Sequence, residues 1–152
     1  MAVKFVRLKG ALTATPTFLN VYASGTIQRM SIVSFSRTNN RVEPATSGTT
    51  TTQIFGIALD YREGASDTQT RVIPFVPGQL WEIDCTNTPT TLMLFRKHAL
   101  TNNLTLANTS VDQTASTGIF IAYSIGTIAI VDKTMIGEFI RAPIFDKLNA
   151  QQ

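Results

Sequence analysis

The fold is decided by residues 53–85, which read QIFGIALDYREGASDTQTRVIPFVPGQLWEIDC. Three apolar segments in this stretch have the length of β-strands and are separated by turn-forming residues: Gln53–Asp60, Thr70–Val76 and Gln79–Cys85. Pro77 fixes its own φ and Gly78 accepts a positive φ, so this pair predicts a type II turn between the second and third segments. We therefore expect three consecutive strands that pair as an antiparallel meander.

The third segment also predicts which side chains are buried. Trp81, Ile83 and Cys85 alternate with Glu82 and Asp84. A period of two is typical of a strand with one face in the core and one face in water. We expect the three apolar side chains to be buried and both carboxylates to be solvated.

The same pattern continues along the rest of the chain. Turn-forming residues separate further apolar segments, which we predict as strands: Val3–Lys9, Thr17–Ala23, Thr26–Phe35, Thr91–Lys97, Leu104–Ala107, Ile119–Ser124, Thr127–Asp132 and Gly137–Phe145. Two long polar stretches, residues 36–52 and 98–118, are predicted to be loops. About ten short strands in all predict an all-β fold, a single-domain antiparallel β-barrel or sandwich over residues 1–152. Residues 1–16 are predicted to be its basic N-terminal arm or first strand.

The composition indicates a protein that covers part of its surface by association. Charged residues make up only 15% of the 152 residues, and threonine, which suits the exposed face of a strand, largely replaces them. A β-protein with few charges is prone to pairing between strand edges, so we expect a closed oligomer. No apolar run reaches the length of a membrane span, and the N-terminus lacks the apolar segment of a secretory signal. We expect no membrane partner and synthesis in the cytoplasm.

Charge is segregated along the chain. Residues 1–42 contain six basic and no acidic residues, out of totals of 13 and 10, so the remainder has seven basic and ten acidic residues. A basic N-terminal portion suits an acidic protein surface or a nucleic acid. The first basic residues alternate with apolar ones, as in a strand, and do not cluster with exposed aromatic residues. This pattern favours a protein partner, and we expect no nucleic acid.

Residues that carry catalytic chemistry are nearly absent from the sequence. His98 and Cys85 are the only histidine and the only cysteine, and they lack the spacing of a metal site. His98 is predicted to be an exposed residue at the end of a strand. The sequence contains no nucleophile elbow, P-loop or dinucleotide fingerprint. We therefore predict no enzymatic activity, no metal and no cofactor.

Carboxylates cluster in two places, where a calcium site and a glycosidase pair have to be considered. Asp60, Glu63 and Asp67 surround a turn, but they lack the spacing of a calcium loop and Arg62 lies among them. Glu82 and Asp84 resemble a glycosidase pair only in composition, because both are predicted on the wet side of one strand. A solvated turn and a solvated strand face account for these residues.

A resemblance to a known family rests on the central stretch. Ile54–Ala58, a polar turn and then RVIPFVPGQLWE (residues 71–82) resemble segments of the small head decoration, or cement, proteins of tailed bacteriophages. The later segments Gly118–Ala122 and Gly137–Ile140 are similar in style. The resemblance covers residues 53–145 and implies a β-rich homotrimer on the virion exterior. It also implies that the major capsid protein is the partner, that neighbouring capsomers are clamped, and that no catalytic residue or cofactor is present.

The resemblance suggests a use for the basic N-terminal portion. The outer surface of a phage head is commonly acidic, so long-range attraction to a basic strand would speed docking. We predict that the capsid-docking residues are Lys4, Phe5, Arg7, Leu8 and Lys9, with the apolar side chains supplying the desolvated contact. An ordinary N-terminal strand inside the domain, with its basic residues in water, is the alternative.

Two other classes of protein also fit the sequence. One is a phage tail-tube or tail-terminator protein, which is also β-rich with long loops. The other is a small-molecule-binding β-barrel whose interior is lined by Phe55, Trp81, Met93 and Phe95. A host-surface adhesin domain is compatible with the same features.

Overall fold

The computed structural model describes residues 17–63, 68–126 and 133–142, together with the backbone of residues 3–8. Within these residues, eleven strands and one short 3-10 helix make up the regular structure. The strands are β1 (Val3–Leu8), β2 (Leu19–Ala23), β3 (Ile32–Ser36), β4 (Arg41–Pro44), β5 (Ile54–Ala58), β6 (Thr68–Pro74), β7 (Gln79–Cys85), β8 (Lys97–Leu100), β9 (Thr105–Ala107), β10 (Phe120–Ile125) and β11 (Thr134–Phe139), and the helix is Thr91–Met93. The predicted all-β fold of about ten short strands is confirmed.

The first half of the described chain forms a closed five-stranded barrel. Its strands are ordered β2-β4-β3-β5-β6, and β6 pairs back onto β2. Neighbours are antiparallel except β2 and β4, which are parallel and meet at the single pair Ala23 and Val42. The buried apolar residues of its interior are small or branched, apart from one phenylalanine: Ala23, Ile27, Val33, Val42, Phe55, Ala58 and Val72.

The second half forms another ring of five strands, in the order β7-β11-β10-β8-β9. The ring closes where β9 runs parallel to the end of β7, with Asp84 opposite Thr105 and Cys85 opposite Leu106. β1 pairs antiparallel with β7, from Val3 opposite Ile83 to Leu8 opposite Gln79. β7 is therefore the strand onto which the second barrel and the N-terminal strand assemble.

The two barrels share one hydrophobic core. All five residues of β5 are buried, because Ile54 and Ile57 face the second barrel while Phe55 and Ala58 face the interior of the first. Three aromatic side chains meet at the junction: the ring of Phe75 stacks on Phe139 with centroids 4.0 Å apart and meets the edge of Trp81 at 5.6 Å. Trp81, Ile83 and Cys85 are all buried, as predicted.

The predicted three-strand meander is wrong at its last strand. β5 pairs with β6, but β7 pairs with β1, β9 and β11, and Pro77-Gly78 carries the chain from one barrel to the other. Gly78 has the positive φ, 95°, that its turn prediction requires. The turn brings Phe75 and Trp81 together in the shared core. β7 therefore joins the second barrel and does not form a hairpin with β6.

Three of the predicted loops and strands differ from the structure. Residues 36–52 are not all loop, because they contain β4. Val42 is the only buried residue of this strand, and one apolar residue among polar ones does not predict a strand. Residues 98–118 contain most of β8 and also β9, and the strand predicted at Leu104–Ala107 is confirmed as Thr105–Ala107. Thr91–Lys97 is not a strand: it begins with the 3-10 helix, and β8 starts only at Lys97.

The strand predicted at Thr26–Phe35 is shortened at its start. Met30 has a φ of 60°, which interrupts an extended strand, so β3 begins at Ile32. Ile27 instead forms an isolated bridge with Arg62. The predicted strand at Thr127–Asp132 and Pro143 at the end of the last predicted strand lie outside the described residues.

Candidate functional site

His98 is a buried structural residue, and its predicted exposure is wrong. Its Nε2 donates to the carbonyl of Met93 at 2.9 Å, and its Nδ1 accepts the N–H of Thr109 at 3.4 Å. Burial lowers the pKa of the ring, and so does Arg96 nearby, while the bond to Met93 and the charge of Asp112 oppose the shift. Both ring nitrogens of the neutral form are in use, so His98 is poorly placed to act as a catalytic base.

The carboxylates of β7 do not form an acid–base pair in water. Glu82 is buried, which contradicts its predicted solvation, and Thr134 of the neighbouring strand donates its hydroxyl to Glu82 Oε1 at 2.8 Å. Gly126 packs so closely that an added Cβ would lie 2.6 Å from the same oxygen. Glu82 therefore joins β7 to the strand beside it through a side-chain hydrogen bond, which the alternation of a single strand does not reveal.

The turn after β5 holds an ion pair. Asp60 accepts two hydrogen bonds from the guanidinium of Arg71, at 2.7 and 3.0 Å, and this contact lowers the pKa of the carboxyl. Asp67 lies outside the described residues, and in the rest no group of three His, Cys, Asp or Glu is placed to hold a metal ion. Cys85 is buried, which raises the pKa of its thiol to about 12.

A wide groove of about 750 Å³ lies beside β3, β4 and the loop that follows them. Serine and threonine hydroxyls make up much of its lining, together with Arg37, Glu43 and Gln53. The groove offers many hydrogen bonds but contains neither a histidine nor a cysteine, and Glu43 is its only carboxylate. It therefore suits the binding of a polar surface better than acid–base catalysis.

Four of the five predicted docking residues lie on β1. Lys4, Phe5, Arg7 and Leu8 belong to the strand that pairs with β7, and the register shifts between Phe5 and Arg7. Only the backbone of this strand is described, and Lys9 lies outside the described residues. That these side chains contact a capsid stays a prediction.

The four residues predicted to line a ligand cavity have different surroundings. Trp81 is fully buried in the shared core, against which Met93 packs, and Phe55 belongs to the interior of the first barrel. Phe95 is 72% exposed. The aromatic side chains thus fill the two barrels or face water, and they do not surround one common cavity.

The turn between the 3-10 helix and β8 exposes large apolar side chains. Phe95 adopts a φ of 57°, which is rare for an aromatic residue, and its ring lies 6.1 Å from that of Tyr123. Leu92, in the 3-10 helix that precedes this turn, is also mostly exposed. We name Leu92, Phe95 and Tyr123 the turn surface. The sequence prediction missed it because the apolar run was assigned to a strand.

A second exposed apolar region lies along β2. Residues 19–22 have β6 on one side, but no strand pairs with them on the other side within the described chain. A cavity of about 230 Å³ opens there, between β2 and the turn that joins β3 to β4. We name this gap between residues 19–22 and residues 37–40 the open seam.

No protein-family model matches the chain, and no curated protein or solved structure is similar enough to match it. In the described ranges, no helix is long and apolar enough to cross a membrane.

Proposed function

We propose that the chain is a virion structural protein, a decoration or cement protein that binds the outer surface of a tailed-phage head and stabilises contacts between capsomers. The major capsid protein is then its partner, and the capsid exterior is its location after synthesis in the host cytoplasm. The observation that carries the proposal is the exposure of large apolar side chains, above all Phe95 and Leu92. Exposed apolar regions of this kind mark surfaces that bind other proteins.

The roles of the titratable residues support binding over catalysis. His98, Glu82 and Asp60 each make hydrogen bonds that hold neighbouring segments together, and the thiol of Cys85 is buried. A catalytic group needs access to substrate and a proton to exchange, which these contacts oppose. We therefore propose a protein without enzymatic activity and without a cofactor, and we propose neither nucleic acid nor membrane as a partner.

A homotrimer is part of the proposal. Three copies around a three-fold axis would present three identical binding surfaces to neighbouring capsomers. Linked sites bind far more tightly than one site alone, because the second and third contacts are intramolecular. Light scattering of the free and the capsid-bound protein tests this point, and a strict monomer in both states would contradict it.

A tail-tube or tail-terminator subunit is the second candidate. The unpaired edge of β2 favours it, because an exposed strand edge suits pairing between copies in a stacked ring. A small-molecule-binding barrel receives no such support, because aromatic side chains pack together at the junction of the barrels.

Binding to heads tests the proposal directly. Purified chain is mixed with heads of the encoding virus that lack it, and the heads are sedimented and imaged by electron microscopy. We expect saturable binding at a fixed number of copies per head and heads that withstand higher temperature before releasing DNA. Heads that already carry the chain are the control, because their sites are filled. Absence of binding, or purified chain that assembles into tubes, would contradict the proposal.

A further inference from the structure

The backbone of β2 has hydrogen-bonding groups that point into the open seam. Asn20 lies opposite Arg71 in the antiparallel pair of β2 and β6. The carbonyl of Arg71 accepts the N–H of Leu59 at 2.8 Å, so Arg71 directs its backbone groups toward β5. Opposed residues in an antiparallel pair point their N–H and C=O groups either toward each other or both away. The backbone N–H and C=O of Asn20 therefore point away from β6, into the seam.

The inward face of β2 loses its cover toward the seam. Ala23, Val21 and Leu19 alternate with outward residues and so share the inward face. Ala23 is 1% exposed where β4 closes the barrel, Val21 is partly exposed, and Leu19 is 48% exposed. The cavity at this place is lined by Val21, Phe35, Val42 and Phe55, among others. An added strand would cover apolar residues that already face the barrel interior.

The borders of the seam are basic. The turn beside the seam and the start of β4, residues 37–42, contain Arg37 and Arg41 and no acidic residue. The guanidinium of Arg41 lies 6.0 Å from the centre of the Tyr22 ring on β2. Arg141 lies over the ring of Phe55, one of the residues that line the cavity, at 4.9 Å. An acidic occupant complements these charges, whereas β2 of a second copy would bring the same arginines together.

We propose that the open seam is the docking site for an extended, acid-bearing segment of the partner, which adds to β2 as a strand and inserts an apolar side chain between Leu19 and Phe35. The partner segment would belong to the capsid protein, so this identification rests on the proposed function. Strand addition combines backbone hydrogen bonds, which give affinity, with side-chain pockets, which give specificity.

A proline at position 20 tests the backbone contact. Asn20→Pro removes the N–H that points into the seam and leaves the bonds to β6 in place, and proline is tolerated at such an edge. We expect the variant to fold and to bind heads at least about tenfold more weakly than the unaltered chain, since a backbone bond is lost and the ring blocks the strand. Asn20→Ala, which keeps the N–H, is the matched control and should bind normally. Normal binding by Asn20→Pro would overturn the proposal.

Two variants of opposite charge at position 19 test whether the partner segment is acidic, independently of the proline variant. Leu19 is half-exposed, so both Leu19→Asp and Leu19→Lys should fold. We expect Leu19→Asp to bind heads more weakly than Leu19→Lys, and the difference to shrink as salt is raised. Equal binding by the two variants, or the reverse order, would exclude an acidic segment.

Two further measurements separate this proposal from the proposed function. If the unaltered chain does not bind heads, the proposed function fails. Whether the seam binds an acidic strand is then tested with synthetic seven-residue peptides of alternating valine and aspartate, or of alternating valine and lysine. We expect the aspartate peptide to shift the amide NMR signals of Asn20 and Tyr22, and unchanged signals would overturn the docking site. If Asn20→Pro changes the oligomeric state measured by light scattering, the seam binds a second copy, which also overturns the proposal.

Discussion

The two barrels differ in how completely they are closed. In the second barrel, Trp81, Phe120 and Met135 are fully buried, and β7 has neighbours on both edges. In the first barrel, β2 meets β4 at one residue pair, and Leu19 on its inward face is half-exposed. The first barrel closes through that single pair, which leaves residues 19–22 without a strand on this side within the described chain. We infer that the junction and the second barrel stabilise the chain, whereas the first barrel offers the proposed binding edge.

Truncation at the junction should have the largest effect. Trp81→Ala removes a buried ring that contacts Phe75 and Phe139, so we expect a loss of roughly 3–5 kcal/mol in the free energy of unfolding. Leu19→Ala at the seam is the contrasting variant and should cost no more than about 1 kcal/mol, because the side chain is half-exposed. Chemical denaturation of both measures the difference. Equal losses would remove the distinction between the barrels.

Crowding β5 should have the next largest effect, because this strand lies between the two cores. In Gly56→Ala the added Cβ would collide with the carbonyl oxygen of Ile73 and lie 2.8 Å from a methyl group of Val72. Overpacking of this kind costs about 1–3 kcal/mol. Gly48→Ala is the matched control, since its Cβ would meet only Thr46 Oγ1 at 3.9 Å. A Gly56→Ala variant as stable as Gly48→Ala would show that the pairing of β5 and β6 is looser than described.

Acid should weaken the second barrel through His98. Burial lowers the pKa of its ring below the ordinary value of 6.5, so the unfolded chain binds a proton more readily than the folded one. The contribution of neutral His98 is therefore complete above pH 6.5 and is lost as the pH falls from there toward the lower folded pKa. Thermal unfolding between pH 8 and pH 5, compared with His98→Gln, measures it. A stability difference between the two proteins that does not change across this range would contradict the prediction.

The smallest effect is expected at Cys85, where the rate of thiol labelling, and not the free energy of unfolding, reports whether the second barrel stays closed. Burial raises the pKa of the thiol to about 12, so almost no thiolate is present at pH 8. We expect a thiol reagent to leave the folded chain unmodified and to label it completely in denaturant. Rapid labelling of the folded chain would mean that the second barrel opens where β9 meets β7.

The sequence predicts strands well and pairings poorly, for a physical reason. β7 has the predicted bounds because the alternation around Trp81 is a local property of the chain. The partner of β7 is not local, since it depends on whether Phe75 and Trp81 meet in the shared core. The burial of His98 and Glu82 was not predicted for the same reason. Glu82 accepts a hydrogen bond from Thr134, which is distant in sequence, and His98 accepts one from the backbone N–H of Thr109.

The candidate site was predictable only in outline. Segregation of charge in residues 1–42 indicates a basic surface, and Arg41 of that set lies 6.0 Å from the ring of Tyr22 beside the seam. The missed signal lies in β2, where Phe18, Leu19, Val21 and Tyr22 place apolar side chains on both faces of the strand. A fully buried strand has the same pattern, so only the position of β4 distinguishes an open edge from a covered one.

A cryo-EM reconstruction of heads with and without the chain tests the account most directly. We predict added density at regular positions on the outer surface of the head, with the first barrel against the capsid protein and a strand of that protein beside β2. Density that appears only in the tail, or heads that look identical with and without the chain, would contradict the assignment as a decoration protein.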